Sequence, residues 1–557
     1  MKKSLFSALA CGCAAVLLVG CNGKMKPFQA EYFSTNPNPL ELVGQNVPAT
    51  VTANIPAKFF KKNAQVTVTP TLVYGSGETT STPFALQGEN VRGNAYSVNY
   101  NNGGVVTIPV NYVYQPAMQK SELYLDFNVT QGKKQYVLPR VKVADGVIAT
   151  SDLANAATVN PAAAADAFQQ VINERYSADI HFLINQAVLR PTQLHTPQMV
   201  EFRNKLIASR DADSLVVREI NIDSYASPDG TYDFNARLAE NRQNTTDAYL
   251  QDQLKKDKIT EFGELTSQFT AEDWEGFQKL LAASNIQDKE LILNVLKMYK
   301  DPEEREREIR NLATVFEAVA DDILPQLRRS RLTASIDVIG KTNEEINALI
   351  DSDPSKLSVE ELLYGATLTD DLGRKQKIYE AVVKYFPNDY RGFNNLGMVK
   401  YVQGDYTAAT DNLAMASQLS PASKEVNMNL GLISLLAKDY SDASRCFSNA
   451  AGLDGLGDAL GVYYLNQGDY AAAVKSFGAS KTNNAALAKI LTKDYAGAKS
   501  TLAAVANPDA VTYYLTAVVG ARTNNAGMVK DNLAKAAKLD PAMATRAAND
   551  LEFARFK

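Results

Sequence analysis

A chain of 557 residues with a net charge of −5 is long enough for several separate cores, and it lacks the block of basic charge that a main nucleic-acid partner requires. It has only two histidines, His181 and His195, and four cysteines, and these form no cluster. A structural zinc site is therefore excluded and no cofactor is expected.

The chain opens on Lys2 and Lys3, followed by an apolar run over 5–20 that ends Leu18-Val19-Gly20-Cys21. A bilayer core takes about 20 apolar residues to cross, so a basic head with so short a run predicts a secretory signal over 1–20. The Leu-Val-Gly-Cys ending resembles a bacterial lipobox. The resemblance implies cleavage before Cys21 and lipid on its thiol, with palmitate-type acylation. Cys11 and Cys13 would leave with the signal, so Cys446 alone would remain and no internal disulfide is expected. Cys446 lies among apolar residues on a helical face and reads as a buried small hydrophobe. Asn22-Gly23-Lys24-Met25-Lys26 lacks the acidic pair of surface-export signals, which leans towards the periplasmic face of the outer membrane.

Residues 21–39 read as a tether. Over 40–150 the pattern alternates with period two, as in Gln65-Val66-Thr67-Val68-Thr69 and Glu122-Leu123-Tyr124-Leu125-Asp126-Phe127. Turn signals at Gly75-Ser76-Gly77, Asn101-Asn102-Gly103-Gly104 and Gln131-Gly132 separate these runs, which predicts an all-β sandwich for adhesion, spacing or docking. Residues 151–178, with Asn160-Pro161 and an Ala-rich stretch, predict a linker carrying a short helix.

The middle region, 179–340, mixes strands over 180–184, 216–225 and 332–339 with helices opening at Thr196-Pro197 and running over 235–254. Asn185-Gln186-Ala187-Val188-Leu189-Arg190-Pro191 stands after its first strand. Tyr225-Ala226-Ser227-Pro228-Asp229-Gly230 follows, and then Asn235-Ala236-Arg237-Leu238-Ala239-Glu240-Asn241-Arg242. These resemble the OmpA-like peptidoglycan-binding domain, an α/β fold, and the register of Gly230, Asn235, Leu238 and Arg242 holds without a gap. The resemblance implies a clamp on diaminopimelate by an aspartate and an arginine. The arginine position is Arg242 and the aspartate position is Ser227. Serine lacks the charge, and losing a charge-assisted bond costs about 1.5–3 kcal/mol; Asp229 is the substitute within reach, and Asn235 the loop support. A helical insertion spans 255–324, with the sole tryptophan, Trp274, read as core and a charged helix over 303–310 read as solvated. Leu327-Arg328-Arg329-Ser330-Arg331 precedes the closing strand as paired arginines do in the family; which arginine matches which stays open.

From 341 to 557 the pattern is all helical and repetitive. Leu396-Gly397 recurs as Leu430-Gly431 and Leu460-Gly461, the first step being 431 − 397 = 34 residues. Gly404-Asp405-Tyr406, Lys438-Asp439-Tyr440, Gly468-Asp469-Tyr470 and Lys493-Asp494-Tyr495 fill the turns. Ala409, Ala443, Ala473 and Ala498 follow them, and then bulky Leu413, Phe447, Phe477 and Leu502. The pattern resembles the tetratricopeptide repeat and implies an all-α superhelix with a partner-binding groove. Pro421 and Pro541 read as repeat ends and 549–557 as a capping helix. Groove positions would be Arg391, Asn394, Met398 and Tyr401 in one repeat, with Glu425 and Met428 in the next. Asn394 and Met398 replace the Lys and Asn with which chaperone-type repeats hold a C-terminal carboxylate, so an apolar or helical partner is expected. Packing between repeats explains Leu432 and Leu435 equally well.

The functional expectation is a lipid-anchored, non-enzymatic envelope scaffold at the outer membrane. Its OmpA-like domain would touch peptidoglycan and its repeats would recruit a protein. The alternative is a structural subunit of a secretion, gliding or fimbria-assembly machine that binds no peptidoglycan. No His-Glu-x-x-His, Gly-x-Ser-x-Gly or phosphate loop is present, and His181 beside Asp179 falls in a strand, so no catalytic residues are expected.

Overall fold

A computed structural model describes residues 23–75, 77–287, 289–311 and 319–557. Cys21 and the signal lie outside the described residues. The chain forms two compact units, one from the N-terminal part to Ala165 together with Asp371–Lys557, the other Asp166–Asp370.

The N-terminal part of the first unit is sheet-rich. Asn46–Ile55 sits between Phe33–Asn36 and Gly104–Val113 in a three-stranded sheet. Ala64–Tyr74 is central to a six-stranded sheet with Ser121–Gln131, Lys134–Asp145, Phe84–Gly88, Tyr96–Val98 and Gly77–Thr80. Along Asn46–Ile55 every second side chain is buried, and Val47, Val51, Val66, Leu123 and Phe127 from the two sheets share one core. The period-two pattern therefore sets which face each strand buries. The expected tether ends sooner than its composition suggests. Met25 and Phe28 are buried in that core, and the Phe28 ring stacks 4.4 Å from Phe127, because these apolar side chains gain more from burial than from solvent.

The C-terminal part is all helical. Helical hairpins pair Tyr390–Val402 with Tyr406–Leu419, Lys424–Leu436 with Tyr440–Asn449, Leu456–Gln467 with Tyr470–Phe477, Asn483–Leu491 with Tyr495–Ala503, and Ala510–Arg522 with Ala526–Leu539. The Asp-Tyr turns have a physical cause. Asp405, Asp439, Asp469 and Asp494 each cap the second helix, accepting from a main-chain N–H at 3.1, 3.0, 3.0 and 2.9 Å. The residue before each aspartate is left-handed: Gly404 and Gly468 at φ 81° and 79°, Lys438 and Lys493 at 59° and 66°. Lysine is strained there by about 1 kcal/mol, partly offset because glycine is freer when unfolded. Lys438→Gly and Lys493→Gly should each stabilise the repeats by about 0.5 kcal/mol. A higher urea midpoint in equilibrium unfolding checks this, and a lower one refutes it. Gly431 and Gly461 are needed for contact: an added Cβ would stand 2.4 Å from the Phe447 ring and 2.5 Å from the Phe477 ring. Cys446 is buried, which pushes its thiol up to about 11 and leaves it unreactive at neutral pH.

Two expectations at the C-terminus are corrected. Pro541 opens a helix rather than closing a repeat: it is the first residue of Pro541–Asn549, capped by Asp540. Residues 551–556 form a 3-10 turn instead of a capping α-helix, started by Asp550 accepting from Glu552 N–H at 2.9 Å.

The second unit holds a sheet in the order Val171–His181, Arg329–Ile339, Leu215–Tyr225, Glu264–Thr270. Pro197–Asp211 and Tyr232–Lys256 cover one face, where Phe202, Leu206, Leu250 and Leu254 meet Ile180, Ile222, Leu332 and Ile336. Thr196 caps the first of these helices as expected. The first strand, expected over 180–184, instead starts at Val171, inside the expected linker, and pairs along its whole length with Arg329–Ile339. Glu264–Thr270, inside the expected helical insertion, is a strand parallel to Leu215–Tyr225. The rest of that insertion, with Phe277, Leu281 and Ile292, builds a small core of its own, against which Trp274 packs. Asn343–Ser352 and Val359–Thr367, expected among the repeats, fall in this unit.

Candidate functional site

The first helices of the repeat hairpins line a groove, and it is occupied by the chain itself. After the 3-10 turn Ala156–Thr158, the expected linker crosses these helices in non-helical conformation to residue 165. Three asparagines hold it, each by both hydrogen-bonding groups of one residue. Asn429 accepts from Ala162 N–H at 2.7 Å and donates to Ala162 C=O at 2.7 Å. Asn395 does the same at Ala164, at 2.7 and 2.9 Å. Asn484 does so at Asn155, at 3.0 and 2.9 Å. The side-chain amide thus pairs with the main-chain amide as a neighbouring strand would. This explains why the Ala-rich run carries no α-helix: the Ala162 and Ala164 N–H groups that a helix would use are taken by asparagine side chains. Ala156 and Val159 enter the same core as Met428, Leu432 and Leu435.

The expected groove residues divide on this geometry. Asn394 donates to Ala162 C=O at 3.1 Å, and Tyr401 donates to Ala156 C=O at 2.6 Å, its hydroxyl pKa pushed up by burial. Arg391 donates to Ala165 C=O at 3.4 Å and is ion-paired with Asp389 at 2.7 Å. Met428 is 1% exposed and belongs to the core. Met398 is half-buried, and Glu425, also half-buried, accepts from Ser423 at 2.8 Å. The asparagine ladder lies outside the expected groove positions, although the sequence carries a signal for it. An asparagine stands eleven residues before the turn tyrosine in three repeats, since 406 − 395 = 440 − 429 = 495 − 484 = 11, and Ala459 takes the place in the other.

In the second unit, Ser227, Asp229, Asn235 and Arg242 gather beyond the end of strand Leu215–Tyr225. Arg242 is 0% exposed. Its guanidinium donates to Tyr225 C=O at 2.8 Å, Gln186 C=O at 3.0 Å and Leu183 C=O at 3.3 Å, and lies 5.1 Å from the centre of the Phe182 ring. Burial, with Arg328 nearby, lowers its pKa to about 10. Asn235 donates to Gly230 C=O at 3.0 Å and so braces the loop; Thr231, not Asn235, is the N-cap of helix Tyr232–Lys256. Ser227 donates to Asp229 at 2.6 Å, and Arg328 pairs with Asp229 at 2.9 Å. The three arginines take separate partners: Arg328 goes to Asp229, Arg329 to Asp273 at 2.8 Å, and Arg331 to Asp179 at 2.8 Å. An ammonium ligand seeking Asp229 would meet a carboxylate already paired, and a carboxylate ligand would find the Arg242 donors turned onto main chain.

His181 lies in its strand half-buried, its pKa lowered by burial, and the neighbouring Asp179 is held by Arg331. Among the described residues no group of three or more His, Cys, Asp or Glu is placed to hold a metal, and no helix is long and apolar enough to cross a membrane.

No family model matches the sequence, and no curated protein matches it. Similar solved structures include a tetratricopeptide repeat protein of Parabacteroides merdae (13% identity over 38% of this chain and 91% of that one, TM-score 0.30). PilF of Pseudomonas aeruginosa is 14% identical over 39% of this chain and 100% of its own, TM-score 0.30. Yeast Tom70 is 11% identical over 56% and 73%, TM-score 0.25. These likenesses are remote, and the repetition of the C-terminal helices stands on their own capped turns and glycine contacts.

Proposed function

We propose that this chain is a lipid-anchored scaffold of a bacterial cell envelope, a structural subunit rather than an enzyme. Cys21 would carry the lipid, and the periplasmic face of the outer membrane is the expected place. The observation that carries the scaffold reading is the route of residues 155–165, which binds the sheet-rich module and the repeats into one unit through paired main-chain hydrogen bonds. Such a connection suits a part that holds others in place.

The middle unit keeps the OmpA-like register at Asn235 and Arg242, and we read it as an OmpA-like module. A specific observation favours the reading without peptidoglycan binding: the arginine that would clamp the cell-wall peptide is wholly buried on three carbonyls. The module then serves as architecture in a secretion, gliding or fimbria-assembly machine. The test is co-sedimentation of the chain with purified sacculi, beside Ser227→Asp and Asp229→Asn. All three should stay in the supernatant. Pelleting of the unsubstituted chain, strengthened by Ser227→Asp or weakened by Asp229→Asn, would restore the wall-binding scaffold.

A further inference from the structure

We propose that residues 155–165 are an exchangeable occupant of the repeat groove. Once they leave, the same asparagines would bind an extended, uncharged segment of small residues from a partner protein. Three observations point there. Asn395, Asn429 and Asn484 each contact the N–H and C=O of a single residue, so they read main chain, which any extended polypeptide offers. The occupant from 155 to 165 carries no charge, and four of its residues from 162 onward are alanine. Ala156, Val159 and Ala164 are 7%, 4% and 4% exposed, so space there admits only small side chains.

The two features fix the class of partner. Main-chain pairing gives affinity without sequence, and tight burial at Ala156 and Ala164 excludes bulky or charged side chains. The covalent occupant holds the groove by its local concentration, on the order of millimolar for a short tether. A free peptide of equal contacts therefore competes only at a similar, millimolar concentration, or once the tethered one is weakened. This deepens the scaffold reading by naming how a protein would be recruited. It concerns the repeats alone, so a failure here leaves the sacculus result standing, and the reverse.

The probe is a fluorescent peptide with the sequence of residues 154–166, titrated into the full chain by anisotropy. Ala162→Pro with Ala164→Pro removes both N–H donors from the tethered occupant. This variant should bind the peptide at least tenfold tighter than the unsubstituted chain. Adding Asn395→Ala and Asn429→Ala should abolish that gain, and a peptide with Asp in place of the alanines matching 162 and 164 should not bind. Equal binding by the proline variant and the unsubstituted chain, or indifference to the asparagines, overturns the proposal. So does a proline variant that forms dimers which the peptide cannot dissolve, since the occupant would then be a second copy. A measurement on the unsubstituted chain guards against misfolding of the variant. Hydrogen exchange at the Ala162 and Ala164 amides should be slow and should quicken tenfold or more under millimolar peptide; unchanged protection is equally fatal.

Discussion

Arg242→Met is expected to destabilise the middle unit by about 3–5 kcal/mol, whatever it does to binding. The guanidinium is fully buried, and its three bonds go to the carbonyls of Leu183, Gln186 and Tyr225. Those carbonyls belong to the loop after strand Val171–His181 and to the last residue of strand Leu215–Tyr225, which the guanidinium joins. Methionine would fill the volume and leave three part-buried acceptors without that donor, each worth about 1 kcal/mol or more. For a domain of this size, 1 kcal/mol moves the melting temperature by about 2–4 °C, so the loss is roughly 10 °C. Arg242→Lys keeps the charge but not the planar fork, and should fall between. Trp274, the sole tryptophan, lies in this unit against the insertion's small core, so its fluorescence read beside circular dichroism follows this unit's unfolding. An unchanged melting curve would mean that the arginine is held for a ligand instead.

Arg242 also shows where a sequence reading stops. The Asn, Leu and Arg register places the arginine on the helix, but not what its guanidinium meets; that depends on Leu183 and Gln186, 59 and 56 residues away in the chain, and on Tyr225, 17 residues away. The repeat turns were legible because each Asp-Tyr pair is a complete local device, cap and hinge together. Leu215–Tyr225 was legible because it alternates on a half-buried sheet. Val171–His181 was not, since Val171 to Arg175 are all exposed and their strand conformation is imposed by pairing with Arg329–Ile339. Glu264–Thr270 is an edge strand whose exposed side chains carry no apolar alternation, and its parallel partner comes before a 25-residue helix. The Ala-rich linker favours helix by propensity, and the asparagine ladder overrides propensity. The ladder could have been found by asking which polar residue recurs at a fixed distance from the turn, a question that apolar periodicity does not raise.

Glu552→Ala should cost about 3–5 kcal/mol and should loosen the sheet-rich module from the last repeats. Glu552 lies in the 3-10 turn Leu551–Phe556 with its side chain 3% exposed, in bidentate contact with Arg522. Thr150, at the end of the sheet-rich module, donates to Glu552 at 3.2 Å, and Glu41 of that module stands 3.3 Å from Arg522. The pair therefore joins the far end of the repeats to the beginning of the chain. Removing the carboxylate leaves a guanidinium only 24% exposed with Glu41 as its remaining charge partner. Replacing both, as Arg522→Met with Glu552→Leu, removes the uncompensated charge and should recover most of the loss, because a buried ion pair gains little over apolar packing. A double-mutant cycle on urea unfolding would give the coupling, expected at 2 kcal/mol or more. Limited proteolysis separates local from global effects: cleavage near residues 149–153 should quicken in Glu552→Ala while the repeats stay intact. If Glu552→Ala unfolds like the unsubstituted chain and is cut no faster, the contact does not hold the module, and the asparagine-bound segment alone carries the connection.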